Sequence, residues 1–476
     1  MIASLWLTAA PGAQEASTSN RYNVLFIAID DLRPELGCYG VRAAQSPHLD
    51  RLASQGVVFN RHYTQVPTCG ASRYAMLTGR SPRNSGVRRG NAGLYSGRAA
   101  LETKAQPGAQ TMPELFRRSG YHTVCIGKIS HTPDGRVFAY NGKGDGRPEL
   151  PGAWDGLATP FGSWKRGWGT FFAYAGGKHR EDRQGHRDLM EFVAEKDDDL
   201  PDGMMASAAV AELERIKGLG KPFFMGLGFF KPHLPFVATK PDWEAFTGKE
   251  IPLPPQAKID SPYFHKSGEF YGYNAPYKKS RPLSAEAQRS ARRAYYACVR
   301  YVDRQVGRVL KALDALDLAD NTIVIVWGDH GWHLGEQQLW GKHSPFERAN
   351  RSVLIVRAPG KAIAGMRTDA LVETTDVFPT LVDLCRPKFT KTRFPLDGKS
   401  LSSVLSGEAK SVREAATSYW GTTTSVRTAT HRLVVGRRKK QPHVALYELS
   451  GDPDSVTDIA AAHPEIVQRM RKLIQN

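Results

Sequence analysis

The chain has 476 residues, 41% of them apolar and 24% charged, enough to bury a large core and more than one simple domain normally holds. Lys and Arg outnumber Asp and Glu by 65 to 47, a formal charge of +18, which favours polyanionic partners such as a nucleic acid or a sulfated glycan. No zinc-finger spacing or RNP-like aromatic motif accompanies that charge, and no apolar run reaches the roughly 20 residues of a membrane span, so neither nucleic-acid binding nor a span is expected.

From the N-terminus, Ile2–Ala10 and the small residues of Pro11–Ala16 read as the apolar core and end of a secretory signal without its basic n-region. Residues 1–20 are therefore expected to be a leader or a disordered tail, and the protein to be periplasmic or secreted. Asn23–Ile29 is an apolar strand ending in Asp30-Asp31. Further on, Pro67-Thr68-Cys69-Gly70-Ala71-Ser72-Arg73 opens a short helix over Ala71–Leu77, with Cys69 near its positive end, where an anion or nucleophile is favoured. The stretches 84–108 and 133–185 are rich in Gly and Arg and weakly periodic, which predicts long functional loops. Thr123–Ile126 and Phe223–Gly228 are strands, followed by Lys128 with His131 and by Lys231-Pro232-His233.

The helical pattern Ser284–Leu313 leads to a second strand of the same design, Thr322–Trp327, ending in Gly328-Asp329-His330-Gly331. Ser352–Val356 is a further strand. Apolar strands alternating with helices predict an α/β fold with a sheet buried on both faces. After the Pro- and Gly-punctuated stretch Arg386–Gly407 come four short β runs, Thr417–Trp420, Thr424–Arg427, Arg432–Val435 and Ala445–Tyr447, and an amphipathic helix, Pro464–Ile474. The expected division is a large domain over 21–410 and a small α+β domain over 411–476.

In open α/β sheets ligands bind at the carboxyl ends of the strands. Asp30, Asp31 and Asp329 supply hard oxygens there, which suit Ca²⁺ or Mg²⁺ better than a thiophilic metal. Five scattered cysteines, Cys38, Cys69, Cys125, Cys298 and Cys385, make neither a disulfide framework nor a CxxC site. His48, His62, His122, His186 and His333, with Asp50 and Asp376, are read as scaffold residues.

The run Cys69-Gly70-Ala71-Ser72-Arg73 with Leu77-Thr78-Gly79-Arg80 resembles the formylglycine signature of type I sulfatases, with Ala71 where Pro is more usual. Other matches follow in order: Asp30-Asp31-Leu32-Arg33-Pro34, Ser46-Pro47-His48-Leu49-Asp50, Gly127-Lys128 with His131, Lys231-Pro232-His233, Asp329-His330-Gly331 and Trp340-Gly341-Lys342. Pro232-His233-Leu234-Pro235-Phe236 and His330-Gly331-Trp332-His333-Leu334-Gly335-Glu336 look iduronate-2-sulfatase-like.

That resemblance implies an alkaline-phosphatase-like sulfatase fold: a large, mixed, mostly parallel sheet flanked by helices, with a smaller C-terminal antiparallel-sheet domain. It also implies a sulfuric ester hydrolase acting on a sulfated saccharide, with a uronate-2-O-sulfate as one substrate. Cys69 would be oxidised to formylglycine by a formylglycine-generating enzyme, and Asp30, Asp31, Asp329 and His330, with the modified Cys69, would hold one Ca²⁺. Arg73, Lys128 and Lys342 would offset charge on the sulfuryl group. His233 would protonate the departing sugar oxygen, a task Lys342 can share, and His131 would assist as sulfate leaves. Arginines of the loops Asn84–Arg98 and Trp164–Arg187 are expected to meet a uronate carboxylate. Two other readings remain open, a phosphodiesterase or phosphonate monoester hydrolase of the same superfamily and a catalytically silent glycan-binding protein.

Overall fold

The computed structural model describes residues 21–137, 145–182, 184–254, 268–274, 276–277, 282–438, 441–455 and 457–475, so the expected leader over 1–20 lies outside them. Among the described residues no helix is long and apolar enough to cross a membrane.

The apolar runs build one eight-stranded sheet from β1 (Asn23–Ile29), β2 (Val57–Tyr63), β3 (His122–Gly127), β4 (Gly156–Leu157), β5 (Phe223–Phe229), β6 (Thr322–Gly328), β7 (Leu354–Arg357) and β8 (Met366–Glu373). Their spatial order is β8-β2-β7-β6-β1-β5-β3-β4. Only β7 runs antiparallel to its neighbours, so the sheet is mixed and mostly parallel. Both faces are buried, which is why the central strands are almost wholly apolar. Along β1 the two-residue period sends Leu25, Ile27 and Ile29 into one core and Val24, Phe26 and Ala28 into the other.

The first core is closed by α1 (Pro47–Ser54) and by two longer helices, Pro201–Lys217 and Ala285–Ala315. Ser284 caps the last of these, its hydroxyl accepting from Ala287 N at 3.2 Å. The second core is closed by α2 (Cys69–Thr78), Met112–Arg118 and Val377–Cys385.

Register decides what reaches the carboxyl edge. Ile29 on β1 pairs with Gly328 on β6, Ala28 pairs with Gly228 on β5, and Gly228 pairs with Gly127 on β3. Four adjacent parallel strands therefore end level, and the next residues of each, Asp329-His330, Asp30-Asp31, Lys231 to His233 and Lys128 to His131, emerge side by side.

A separate antiparallel sheet consists of β9 (Ala416–Trp420), β10 (Thr423–Arg427), β11 (His431–Arg438) and β12 (Gln441–Glu448) in that order. The helix Pro464–Gln475 covers one face through Ile466, Val467, Met470 and Leu473. The other face meets the large sheet's layer through Phe346, beside the buried Glu347. Glu347 accepts from Tyr63 Oη at 2.8 Å and from Arg427 Nε at 3.3 Å, and it also pairs with Arg432.

Burial alone would raise the Glu347 carboxyl, but Arg432 and Arg427 outweigh it and hold it at about 2 against an ordinary 4.5. A folded-state value below the unfolded one stabilises at pH above 4.5, and the contribution is lost as pH falls from 4.5 towards 2. Glu347→Gln leaves two buried guanidinium groups without their counter-charge, an expected loss of about 3–5 kcal/mol. Urea melts at pH 7 and pH 3 test this: the variant should lose most of its deficit at the lower pH, and equal melts at pH 7 would refute the tie.

Candidate active site

Thr68 is extended, with φ −158° and ψ 142°, and α2 starts at Cys69 itself, earlier than the helix read from the sequence. Two signature glycines have steric reasons. A Cβ on Gly70 would stand 2.3 Å from Asn91 Cα, because the following loop lies directly on the first turn. Gly79 ends the helix at φ +67°, a left-handed position that disfavours side chains.

Arg73, fully buried, faces inward along α2. Its Nε donates to Asp329 Oδ2 at 3.1 Å, its Nη2 to Asp30 Oδ1 at 3.0 Å and its Nη1 to Ile129 O at 3.2 Å, with a further bond to Lys128 O. Three strand ends are thus clamped by one guanidinium, whose planar fork suits the task where an ammonium would not. Lys128 Nζ donates to Asp30 Oδ2 at 2.7 Å and lies 4.2 Å above the Phe171 ring.

Asp31 occupies the left-handed region at φ +59°. Its N–H donates to Asp329 Oδ1 at 3.0 Å and its carbonyl accepts from Tyr295 Oη at 2.9 Å, so surrounding bonds enforce an uncommon backbone. Lys342 Nζ lies 2.9 Å from Asp31 Oδ1 and 3.3 Å from Cys69 Sγ. His330 Nε2 stands 3.3 Å from the same sulfur. Its Nδ1 donates to Gly331 O at 3.0 Å, which turns the Nε2 lone pair towards Cys69 and Asp31.

The carboxylates of Asp30, Asp31 and Asp329 fall within 4.8 Å of one another, as do the donor atoms of Asp31, Cys69 and His330. Asp31 Oδ2 is buried with no hydrogen-bond partner among the described residues. Burial, then the charge of Asp30, pushes Asp329 up to about 6, and burial also raises Asp31. At Asp30 burial acts in the same sense but Lys128, His233 and Arg73 outweigh it and hold the carboxyl well below its usual range. Burial, then Lys342, lowers His330 to about 4, leaving it neutral. Crowded carboxylates, an orphaned oxygen and a neutral imidazole fit a hard dication, which would neutralise the repulsion and engage Asp31 Oδ2.

Burial, then Asp30, holds the Cys69 thiol well above its usual range despite Lys128 and Lys342. A thiol so protonated is a poor nucleophile as it stands. His131 borders the site with its ring against Trp168, centroids 5.1 Å apart, and its Nδ1 has no partner among the described residues. Burial, then Lys128, lowers it well below the ordinary range. His233 packs on Phe171 at 4.7 Å, and its Nδ1 donates to Leu234 O at 2.6 Å. Its Nε2 therefore faces Asp31 Oδ2 at 3.8 Å and Glu269 Oε1 at 3.1 Å.

The sequence reading did not single out Glu269. Its carboxylate also reaches Lys342 at 3.4 Å, and although burial would raise it, Lys342 and His233 hold it well below the ordinary range. No motif surrounds it, so no signal pointed there. The aromatic wall of Trp168, Phe171 and Phe172 was equally unmarked.

The histidines left unassigned are held elsewhere. His62 binds Ser352 O and Thr374 Oγ1, His333 binds Ser344 Oγ, and His186 binds Asp182. His122 faces Asp155 and Glu212, and the His48 backbone N–H donates to Asp303 Oδ2. Asp50 accepts from Cys38 N, and Asp376 accepts from Glu373 N within a capping box, so both hold the scaffold. All five cysteines are free.

Residues 22–386 match the Sulfatase family. Iduronate 2-sulfatase of Mus musculus is 30% identical over 425 residues, covering 81% of this chain and 72% of that one. Phosphonate monoester hydrolase SpPMH from Silicibacter pomeroyi superposes with a TM-score of 0.75 at 22% identity, covering 96% of this chain and 94% of the other. BT4656, solved in complex with its substrate D-glucosamine-2-N,6-O-disulfate, gives 0.69 at 21% identity, with 96% and 97% covered. The two structures show the alkaline-phosphatase-like fold.

Proposed function

The chain belongs to the sulfatase family and is a sulfuric ester hydrolase, and on that premise we propose that it removes sulfate from a carbohydrate, using formylglycine made from Cys69 and one Ca²⁺ held by Asp30, Asp31, Asp329 and His330. One observation carries the reading: the Cys69 sulfur, standing where the formylglycine oxygens would be, is 3.3 Å from both His330 Nε2 and Lys342 Nζ, beside three carboxylates. When present, the hydrated aldehyde supplies the attacking hydroxyl, and the dication polarises a sulfate oxygen.

The chain's own residues do the rest. Lys128 and Lys342 present ammonium groups to the sulfuryl oxygens, while Arg73 positions Asp30 and Asp329. His233 holds the proton for the leaving sugar oxygen at Nε2: with Nδ1 committed to Leu234 O, a hydrogen bond to Glu269 needs a proton there. His131, neutral and with no Nδ1 partner among the described residues, is the base for the second hydroxyl as sulfate departs. The periplasmic or secreted location and the maturing enzyme belong to the same reading.

A general acid matters most for a poor leaving group. His233→Ala should cut kcat on a saccharide sulfate by roughly 10²–10⁴-fold and on a nitrophenyl sulfate far less. Equal losses on both esters would remove His233 from that role.

The resemblance to a phosphonate monoester hydrolase structure favours a second reading, and paired kinetics decide it. The matured, Ca²⁺-loaded protein should have a higher kcat/KM for an aryl sulfate than for the matching phosphonate monoester; the reverse order would replace the sulfatase assignment. The similarity to an iduronate 2-sulfatase supports a uronate-2-O-sulfate. Sulfate release at equal kcat/KM from matched saccharides with and without the uronate carboxylate would discard that narrower substrate.

A further inference from the structure

Next to the catalytic centre lies a cleft of about 1030 Å³, at the upper end of what small ligands occupy. One wall is the loop from Ser85 to Ala99, and the other is the turn Trp420–Thr423 joining β9 to β10, with Arg437 of β11. Arg88, Arg89, Arg98 and Arg437 line it, with no Asp or Glu among the lining residues. Among the described residues none of these four guanidinium groups forms an ion pair. The walls are tied together: Gly421 N donates to Arg88 O at 3.0 Å, and the Arg88 guanidinium lies 4.8 Å from the Tyr419 ring centroid.

Both walls also end at the nucleophile. Asn91, in the loop, accepts at Oδ1 from Gly70 N at 2.9 Å, one residue beyond Cys69. Trp420, in the turn, stacks on His343 with centroids 4.6 Å apart and an interplanar angle of 14°. His343 follows Lys342, and its Nε2 lies 3.2 Å from Thr68 Oγ1. Through these contacts each wall of the arginine-lined space touches a direct chain neighbour of Cys69 or Lys342, namely Gly70 and His343.

We infer that the cleft is a second anion subsite, which binds a carboxylate or sulfate on the sugar residue adjoining the one that is desulfated. This rests on the carbohydrate reading of the preceding section. Guanidinium forks meet either anion in two parallel hydrogen bonds, and with no internal carboxylate to displace, a ligand anion faces no competitor. The substrate is then an oligosaccharide with at least two anionic groups, and the loop and the C-terminal sheet share in selecting it. Arg98 and Arg437 stand on opposite walls, so together they hold one ligand from two sides.

The test uses the matured, Ca²⁺-loaded enzyme and three disaccharides that share one scissile sulfate. Their neighbouring residue is neutral, carboxylated or sulfated, which separates the two anion sources. The wild type should favour a charged neighbour by about tenfold in kcat/KM, through KM, and Arg98→Gln/Arg437→Gln should bring that ratio close to one. Because the ratio is taken within one protein, any loss of folded enzyme cancels. Equilibrium titration of the same saccharides is measured alongside. Arginine-dependent preference in the titration without any sulfate release would overturn the carbohydrate-sulfatase reading and leave the subsite standing. A titration that shows no preference, or one that the double variant keeps, overturns the subsite whatever the turnover. Tighter binding of an oligodeoxynucleotide of equal charge, lost in the same variant, would assign the cleft to nucleic acid instead.

Discussion

Cys69→Ala is expected to abolish turnover, with kcat down by roughly 10³-fold or more, while the protein stays folded. The first turn of α2 brings no second nucleophile to that position: Ser72 donates to Asp329 O and lies 2.7 Å from Thr64 Oγ1, and the groups hydrogen-bonded to Cys69 Sγ among the described residues are Lys342 and His330. The substitution removes a single sulfur from a fully buried helix, so the stability change should stay near 1 kcal/mol. Mass spectrometry of the peptide spanning Cys69 should show formylglycine after co-expression with the maturing enzyme. A cysteine that is never converted in active protein, or wild-type turnover by Cys69→Ala, would end the proposed chemistry. A purely structural role is separated by the melt, because loss of packing would lower the transition before it lowered kcat.

Much of this centre was legible in the sequence because it is made of strand ends. Six apolar residues followed by Asp-Asp, and five followed by Gly-Asp-His, state both the strand and its terminus, and parallel register brings the two pairs together. The short β runs after residue 416 were legible for a similar reason, since each alternates between turn residues. The strands β2 and β8 were not. The second half of β2, Asn60-Arg61-His62, is polar, and its place is fixed by pairing with β8, while β7 holds the first half at Val57 and Val58. Glu269 and Trp168 were invisible because what matters about them is position alone. Arg73 was visible as a cation, but its partners were not: it faces Asp30 and Asp329 and so is engaged by the two strand-end carboxylates before it can meet a substrate.

Asp30→Asn and Asp329→Asn should weaken Ca²⁺ binding by at least about tenfold and lower activity in step, since each carboxylate both ligates and neutralises the ion. Activity alone would not isolate this effect. Asp30 also accepts from Arg73 and Lys128, so its loss unpairs two buried cations. The deciding readout is the shift of the thermal midpoint with added Ca²⁺. A ligand that binds only the folded protein stabilises by about 2.7 kcal/mol at a free concentration of 100 Kd. The wild-type midpoint should rise with Ca²⁺ and fall with a chelator. In Asp329→Asn the same rise should need at least about tenfold more Ca²⁺. A variant destabilised only by unpaired charges would start lower and shift at the wild-type concentration, which would detach that carboxylate from the metal. Full occupancy by zinc in protein never exposed to added zinc would count against the site as a whole, because three carboxylates and one neutral imidazole offer a hard ion the oxygen-rich surroundings it needs.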